Sequence, residues 1–403
     1  MINKFNTKLV KNLLNINEGL LKLKLPDNKI INIGKINSKL TAELNIHSWK
    51  IFNRVVKEGS MGFAEAYMNS EVSSPDLLKV FQLLAINKNY NKNIIQGKPL
   101  YNLYNYMHHL FRPNSKNGSK KNISSHYDLG NSFYSKWLDS SMTYSSGIFI
   151  KEKIDLKKAQ ENKYEHLCKI TNIKTKDKIL EIGCGWGGFS EYVAKTYGTK
   201  VTGLTISRKQ AEYAKKRMYT EGLNDLVEIK VIDYRDVTDK YDKIISIEMF
   251  EAVGEKYWPI FFKKLHENLE DNGLIGLQLI SIKNELYPSY KNKADFIQKY
   301  IFPGGFLPSI DALSKAAYKG NLSMEIKKSF GRDYAKTLSI WRDKFLSNWD
   351  IISNEESFNE NFKRMWEYYL SYCEAGFLLG STDVHQILFK KNKLIHLSCI
   401  SRK

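Results

Sequence analysis

The stretch with the clearest chemical potential is Ile179 to Ser190, "ILEIGCGWGGFS", where Gly183, Gly185 and Gly188 satisfy a GxGxxG spacing between an apolar run and an amphipathic one. Glycine at such a turn lets the backbone approach a ligand closely. Glu181 stands two residues before the first glycine. Further on, "EMFEAVG" carries Glu251 with Glu248 three residues before it. A carboxylate of this kind stabilises a developing cation or organises the acceptance of a proton, or else it is an acid favoured by a helix start. A dinucleotide site would need one more acid at the end of the second apolar run, about 20 residues beyond the glycines, to hold ribose hydroxyls. "GLTISRKQ" offers none, so polar contacts there would come from the turn Thr205 to Ser207 and from Gln210.

These residues need a scaffold, and the pattern around them supplies one. "DKILEIG", "TKVTGLTIS", "LVEIKVID", "YDKIISIEM" and "LIGLQLISI" read as five strands, alternating with amphipathic helices such as "GFSEYVAKTYG" and "RKQAEYAKKRMYTEG". That alternation predicts an α/β fold, a doubly wound Rossmann-like sheet with its ligands beyond the carboxyl ends of the strands. The first hundred or so residues differ. "SSPDLLKVFQLLAINKN" predicts a helix with Ser74 as N-cap and Pro75 in the first turn, and "KLKLPDNKIINIG" a short hairpin. A small, mainly helical N-terminal domain is therefore expected over residues 1–112. A polar linker follows at 113–125, then the catalytic domain at 126–403.

Composition narrows the class. With 42% apolar and 13% aromatic residues, the chain of 403 has enough to bury a sizeable core. The first twenty residues lack the apolar core of a signal peptide, and the mean hydropathy of −0.42 gives no bilayer span. Cys168, Cys184, Cys373 and Cys399 form no CxxC pair, which fits a reducing cytoplasm and suggests no metal site. The net charge of +19 is compatible with an anionic lipid surface or with nucleic acid. The basic residues are scattered rather than gathered into an Arg-rich run interleaved with aromatics, so no nucleic-acid partner is expected.

The three strand ends "LEIGCGWGG", "VTGLTIS" and "VIDYRD" together resemble class I S-adenosylmethionine methyltransferases. The resemblance goes further. "HYDLGNSFYSKWLDSSMTYSSGIF", "EIGCGWGGFSEY", "TISRKQAEYA", "IDYRD", "EMFEAVG", "FIQKYIFPGGFLPS" and "RMWEYYLSYCEAGF" occur in the order seen in cyclopropane-fatty-acyl-phospholipid synthases, and cover His126 to Phe377. "GFAEAYM" and "SSPDLL" look like that family's N-terminal extension.

The resemblance implies a reaction in which a cis double bond of a phospholipid acyl chain attacks the sulfonium methyl group, a proton leaves and a ring closes. It implies a cofactor pocket of Tyr144, Ser145, Glu181, Gly183, Cys184, Gly185, Gly187, Thr205, Ile206, Gln210, Asp233, Tyr234 and Arg235. Glu251 matches the family's carboxylate near the reacting centre, Ile280 contributes main chain, and Cys373 aligns with a cysteine regarded as catalytic. The family's bicarbonate, a proton acceptor, would meet Ser146 in place of a cysteine, Gln278 in place of a histidine and Arg342 in place of a tyrosine. These departures leave open a fatty acid methyltransferase that forms methyl-branched or methylene chains without ring closure. The resemblance further implies unsaturated phospholipids at a membrane surface as partners, cytoplasmic enzyme associated peripherally with the membrane, and a homodimer.

Overall fold

A computed structural model gives the fold, and its described residues are 14–91, 118 and 129–392. The expected linker, apart from Gly118, lies outside them, as do His126 to Asp128 and Cys399.

The N-terminal unit contains the expected hairpin, β1 (Leu20–Lys24) and β2 (Ile30–Gly34), paired antiparallel around the Pro-Asp-Asn turn. Beside the hairpin lie β3 (Thr41–Ile46), parallel to β1, and the short β4 (Val72–Ser73), so the unit holds a four-stranded sheet as well as helices. Alternate residues Leu21, Leu23, Leu44 and Ile46 are buried, the period-2 pattern of a one-sided sheet. The helices are α1 (Lys50–Glu58), α2 (Ser60–Met68) and α3 (Leu77–Ile86). The N-cap of α3 is Asp76, whose carboxylate accepts from Lys79 N at 3.1 Å, rather than Ser74. Ser74 Oγ instead donates to Glu43 O at 2.7 Å, tying the helix entry to the sheet.

After a short helix at Asn131–Ser135, the larger unit runs through α4 (Leu156–Ile170), β5 (Lys178–Ile182), α5 (Gly188–Tyr197), β6 (Lys200–Thr205), α6 (Arg208–Thr220), β7 (Val227–Val231), β8 (Tyr241–Ile247), α7 (Trp258–Asn268) and β9 (Leu269–Ile282). These are the five strands read from the sequence, all parallel in the order β7-β6-β5-β8-β9. The middles of β5, β6 and β8 are buried on both faces, as helices covering both sides require, while β7 at the edge alternates. The chain then adds α8 (Ile310–Lys319), β10 (Leu322–Ser329), α9 (Gly331–Ser347), α10 (Glu360–Leu378) and β11 (Thr382–Lys391). β11 runs antiparallel between β9 and β10 and completes a seven-stranded sheet.

α10 joins the two units. Its Arg364 guanidinium donates to Tyr67 O and Val72 O, both at 2.5 Å, and lies over the Tyr67 ring. Tyr67 Oη donates to Glu367 at 2.8 Å, and Tyr368 packs edge-on to Phe81. No helix among the described residues is long and apolar enough to cross a membrane.

Candidate active site

The strand order reverses at β5, which has β6 on one side and β8 on the other, and ligands of open α/β sheets bind in the crevice at such a point. Here the crevice opens into a cavity of about 1210 Å³. Gly183, Cys184 and Gly185 line it after β5, Thr205, Ile206 and Gln210 after β6, and Asp233, Tyr234 and Arg235 after β7. Tyr144 and Ser145 close the wall from the segment before α4.

Two glycines explain how the turn is made. Gly183 has φ +84°, and a Cβ there would stand 2.7 Å from Met249 Cγ. Gly185, at φ +53°, would direct a Cβ into open space with nothing within 4 Å. Backbone that faces a void at a strand-to-helix turn fits the close approach of S-adenosylmethionine. Gly187 is different, because it precedes α5 at φ +84° and packs against Ala214 and Met218 of α6. It holds the helix in place and is not part of the cavity wall, a correction to its expected cofactor contact.

Glu181 is buried, receives the Ser190 hydroxyl, and is pushed up to about 7 by burial. Thr205 Oγ1 donates to Gln210 Oε1 at 3.0 Å, which sets two polar side chains in the cavity wall after β6, where no acid stands. Asp233 caps the turn Tyr234–Asp236 and holds Arg235 through bonds of 2.7 and 2.6 Å to Nε and Nη2. The pair shapes the wall as one unit. Tyr144 Oη bonds Tyr369 Oη at 2.8 Å, and Ser145 Oγ accepts from Lys163 at 2.7 Å. Lys163 is wholly buried, and burial lowers its ammonium to about 7.

The carboxylates beyond β8 form the chemical centre. Glu251 Oε1 accepts from Ile280 N at 2.5 Å, while Oε2 is buried without a partner. Burial and, secondarily, the charge of Glu248 push Glu251 up to about 8. Glu248 receives three donors: Ser146 N at 3.0 Å, Gln278 Nε2 at 2.8 Å and Tyr334 Oη at 2.5 Å. Both glutamates, Ile280 and Tyr334 line the cavity.

Three expected anion-site residues therefore play other parts. The Ser146 hydroxyl donates to Gly147 O, and its backbone N–H serves Glu248. The Gln278 amide is engaged on both ends, by Glu248 and Ser146 O through Nε2 and by Gln386 through Oε1. Arg342 pairs with Glu374 of α10 and is not part of the cavity wall. The phenol at the site comes from Tyr334, eight positions earlier on α9, a spacing that turns the side chain by about 80° around the helix. Cys373 does reach the cavity wall, but burial, with Asp295 facing it, holds its thiol far above the ordinary range. Such surroundings disfavour the thiolate form.

Sequence reading left Tyr334 and Lys163 unassigned. Glu248 had one legible mark, its position immediately after a parallel strand.

Comparison with known proteins agrees with this geometry. Residues 114–387 match the family model described as mycolic acid cyclopropane synthetase. The chain belongs to that family. It is an S-adenosylmethionine-dependent methyltransferase of the cyclopropane-synthase type. It is 34% identical to the cyclopropane-fatty-acyl-phospholipid synthase of Escherichia coli K12, over 88% of this chain and 90% of that protein. It is also 34% identical to the tuberculostearic acid methyltransferase UfaA1 of Mycobacterium tuberculosis, over 83% of this chain and 79% of that one. Among solved structures it resembles the mycolic acid cyclopropane synthase CmaA1 in complex with SAH and CTAB, with a TM-score of 0.63 and 27% identity over 68% of this chain and 98% of that one.

Proposed function

We propose that this enzyme adds a methylene group, derived from the methyl of S-adenosylmethionine, across the cis double bond of unsaturated phospholipid acyl chains to form cyclopropane fatty acids. The observation that carries the reading is the continuity of the cavity. From the glycine turn and the two carboxylates, it runs into the N-terminal unit between Leu21, Leu23 and Leu44 of the sheet and Ile51, Phe52 and Val55 of α1. Its volume exceeds the ~300–1,000 Å³ of a single small-molecule site, so a cofactor and an acyl chain can be held together. Such a chain would lie in an apolar sleeve, its double bond at the polar end.

Bound S-adenosylmethionine would supply an electrophilic methyl group on a sulfonium. The protein's own contribution is alignment, exclusion of water and charge. Tyr144, Tyr334, Phe302 and Tyr369 surround the polar end with rings, which keep water from a carbocation and meet it with electron-rich faces. Glu248 and Glu251 lie in the same wall, where a cationic ligand would favour their ionised forms.

Lys88 of the N-terminal unit and Lys293 of the larger one also reach the cavity wall, and Lys293 is lowered by burial and by the charge of Lys88. Two cations beside an apolar sleeve suit a phosphate at the head of an acyl chain. With a net charge of +19, they support a phospholipid substrate met at a membrane surface from the cytoplasm. The homodimer implied by family resemblance is checked by light scattering, a monomer excluding it.

The test is incubation of purified enzyme with unsaturated phospholipid vesicles and methyl-labelled S-adenosylmethionine, read by mass spectrometry and proton NMR. A gain of one CH2 per chain with upfield ring protons establishes cyclopropanation. Vinylic methylene signals at the same mass would instead show alkylation without ring closure. No transfer to any lipid overturns the reading.

A further inference from the structure

An external proton acceptor such as bicarbonate needs free donors, and the groups expected to supply them, Ser146, Gln278, Ile280 N and Arg342, are engaged by the protein itself. Ser146 N, Gln278 Nε2 and Tyr334 Oη converge on one carboxylate, that of Glu248, at 3.0, 2.8 and 2.5 Å. Gln278 is fixed in turn by Gln386, whose Oε1 bonds His166 Nδ1. Burial raises Glu248, and against it the nearby buried Lys163, its ammonium lowered to about 7, favours the ionised carboxylate. This is the environment of a bound planar anion, occupied by a side chain.

The backbone points the same way. Glu248 has φ +50°, a left-handed conformation in which glycine is the comfortable residue and a glutamate is strained. Strain of this kind persists where the surroundings fix it, and here the three donors do so. The conformation turns the side chain back from the end of β8 into the cavity wall beside Glu251 and Ile280.

We propose that Glu248 is the catalytic base of this enzyme, a carboxylate built into the chain at the place where bicarbonate would otherwise be bound. The assignment rests on the reading of the protein as a cyclopropane synthase. In the step it performs, the alkene π pair forms a bond to the transferred methyl carbon, and the carbon–sulfur bond breaks with its pair remaining on sulfur. A cation is left on the other alkene carbon. A C–H bond of the transferred methyl then breaks, its electron pair closes the third side of the ring, and the proton passes to Glu248, from which water in the cavity removes it before the next turnover. Glu251, with one backbone donor and an unpartnered oxygen, stands beside the base and adds negative charge near the cation.

Two variants test this. Glu248→Gln keeps the shape and removes the base. Glu248→Gly removes the carboxylate, suits the left-handed backbone and frees the three donors to a cavity open to small anions. The wild-type enzyme is expected to turn over equally in CO2-free buffer and in tens of millimolar bicarbonate. Both variants should lose about 100-fold or more in kcat while retaining stabilisation by S-adenosylhomocysteine in a thermal melt. Added bicarbonate or formate should recover about 10-fold or more of the loss in Glu248→Gly and none in Glu248→Gln. A readout without turnover is 13C-bicarbonate NMR, in which line broadening is expected with Glu248→Gly and absent with the wild type. Bicarbonate-dependent turnover or broadening in the wild type, or full activity of either variant in CO2-free buffer, would overturn the proposal. Should the wild type transfer no methyl group to lipid, the functional reading fails, while the NMR comparison still decides whether Glu248 occupies an anion site.

Discussion

Replacing Glu251 by glutamine should stabilise the enzyme while impairing it, and by an amount that depends on pH. The carboxyl has one backbone donor at 2.5 Å and one buried oxygen without a partner, and its pKa moves from 4.5 to about 8. The folded state therefore binds this proton more tightly than the unfolded one, so stability falls as pH rises from about 4.5 to about 8. At ~1.4 kcal/mol per pKa unit, a rise of about 3.5 units sets a ceiling of ~5 kcal/mol above pH 8. Water in the cavity raises the effective dielectric and reduces this to about 2 kcal/mol. Glutamine keeps the oxygen that accepts from Ile280 N and carries no charge. For a chain of this length, Glu251→Gln should melt about 2 °C above wild type at pH 8.5, the gap shrinking to about 0.5 °C at pH 5. Differential scanning calorimetry at the two pH values measures it. A gap that is the same at both, or a variant less stable at pH 8.5, would refute the assignment of a strained carboxyl. In the lipid assay the same variant should lose about 100-fold in kcat, since the lost charge no longer faces the cation.

Three further outcomes follow from the same geometry. Tyr334→Phe removes one of three donors to Glu248, so the acid limb of the pH–rate profile should shift upward and kcat fall about 10-fold at pH 7, with S-adenosylhomocysteine binding unchanged by calorimetry. Gly185→Val puts a side chain into open cavity space and, at φ +53°, also strains the turn, so it should abolish stabilisation by S-adenosylhomocysteine while a circular dichroism spectrum stays native. Charge reversal at both Lys88 and Lys293 should raise KM for phospholipid vesicles by about 10-fold or more and leave the kcat at saturation within about 2-fold; an unchanged KM removes these lysines from headgroup recognition.

The parallel part of the sheet was legible because each strand is a short apolar run ended by a polar turn, and because the glycine spacing marks the switch point. β10 and β11 were not. "LSMEIKKS" has only Leu322 buried and carries three charges, and "TDVHQILFKK", after a long helix ended at Gly380, mixes His385 and Gln386 with its apolar residues, so neither announces its antiparallel place beyond β9. The N-terminal hairpin was readable from its Pro-Asp-Asn turn, whereas β3 pairs parallel to β1 through contacts that no local pattern encodes. The same limit governs the site. Gly183, Gly185 and Glu251 sit beside strands that carry their own signal, but Arg342 and Tyr334 lie on α9, where the amphipathic period shows that one face is buried without showing which turn meets the sheet.

The two carboxylates after β8 show why that distinction matters for chemistry. They stand three residues apart in sequence and share one cavity wall, yet their surroundings differ. Glu248 has three donors and Lys163 near it; Glu251 has one donor, an orphaned oxygen and the charge of Glu248 against it. Donors and a nearby cation favour the ionised form, burial and a like charge the neutral one. Glu248 is therefore the better stabilised carboxylate of the two, although burial raises it above the ordinary carboxylate range, while Glu251 remains protonated up to about pH 8 until a cationic ligand enters the cavity. A sulfonium beside Glu251 reverses the like-charge repulsion, so cofactor binding should release a proton. Calorimetric titration of S-adenosylmethionine at pH 7 in buffers of different ionisation enthalpy should then show close to one proton released in the wild type and close to none in Glu251→Gln. Equal release from both would place the proton elsewhere and remove the division of roles between the two acids.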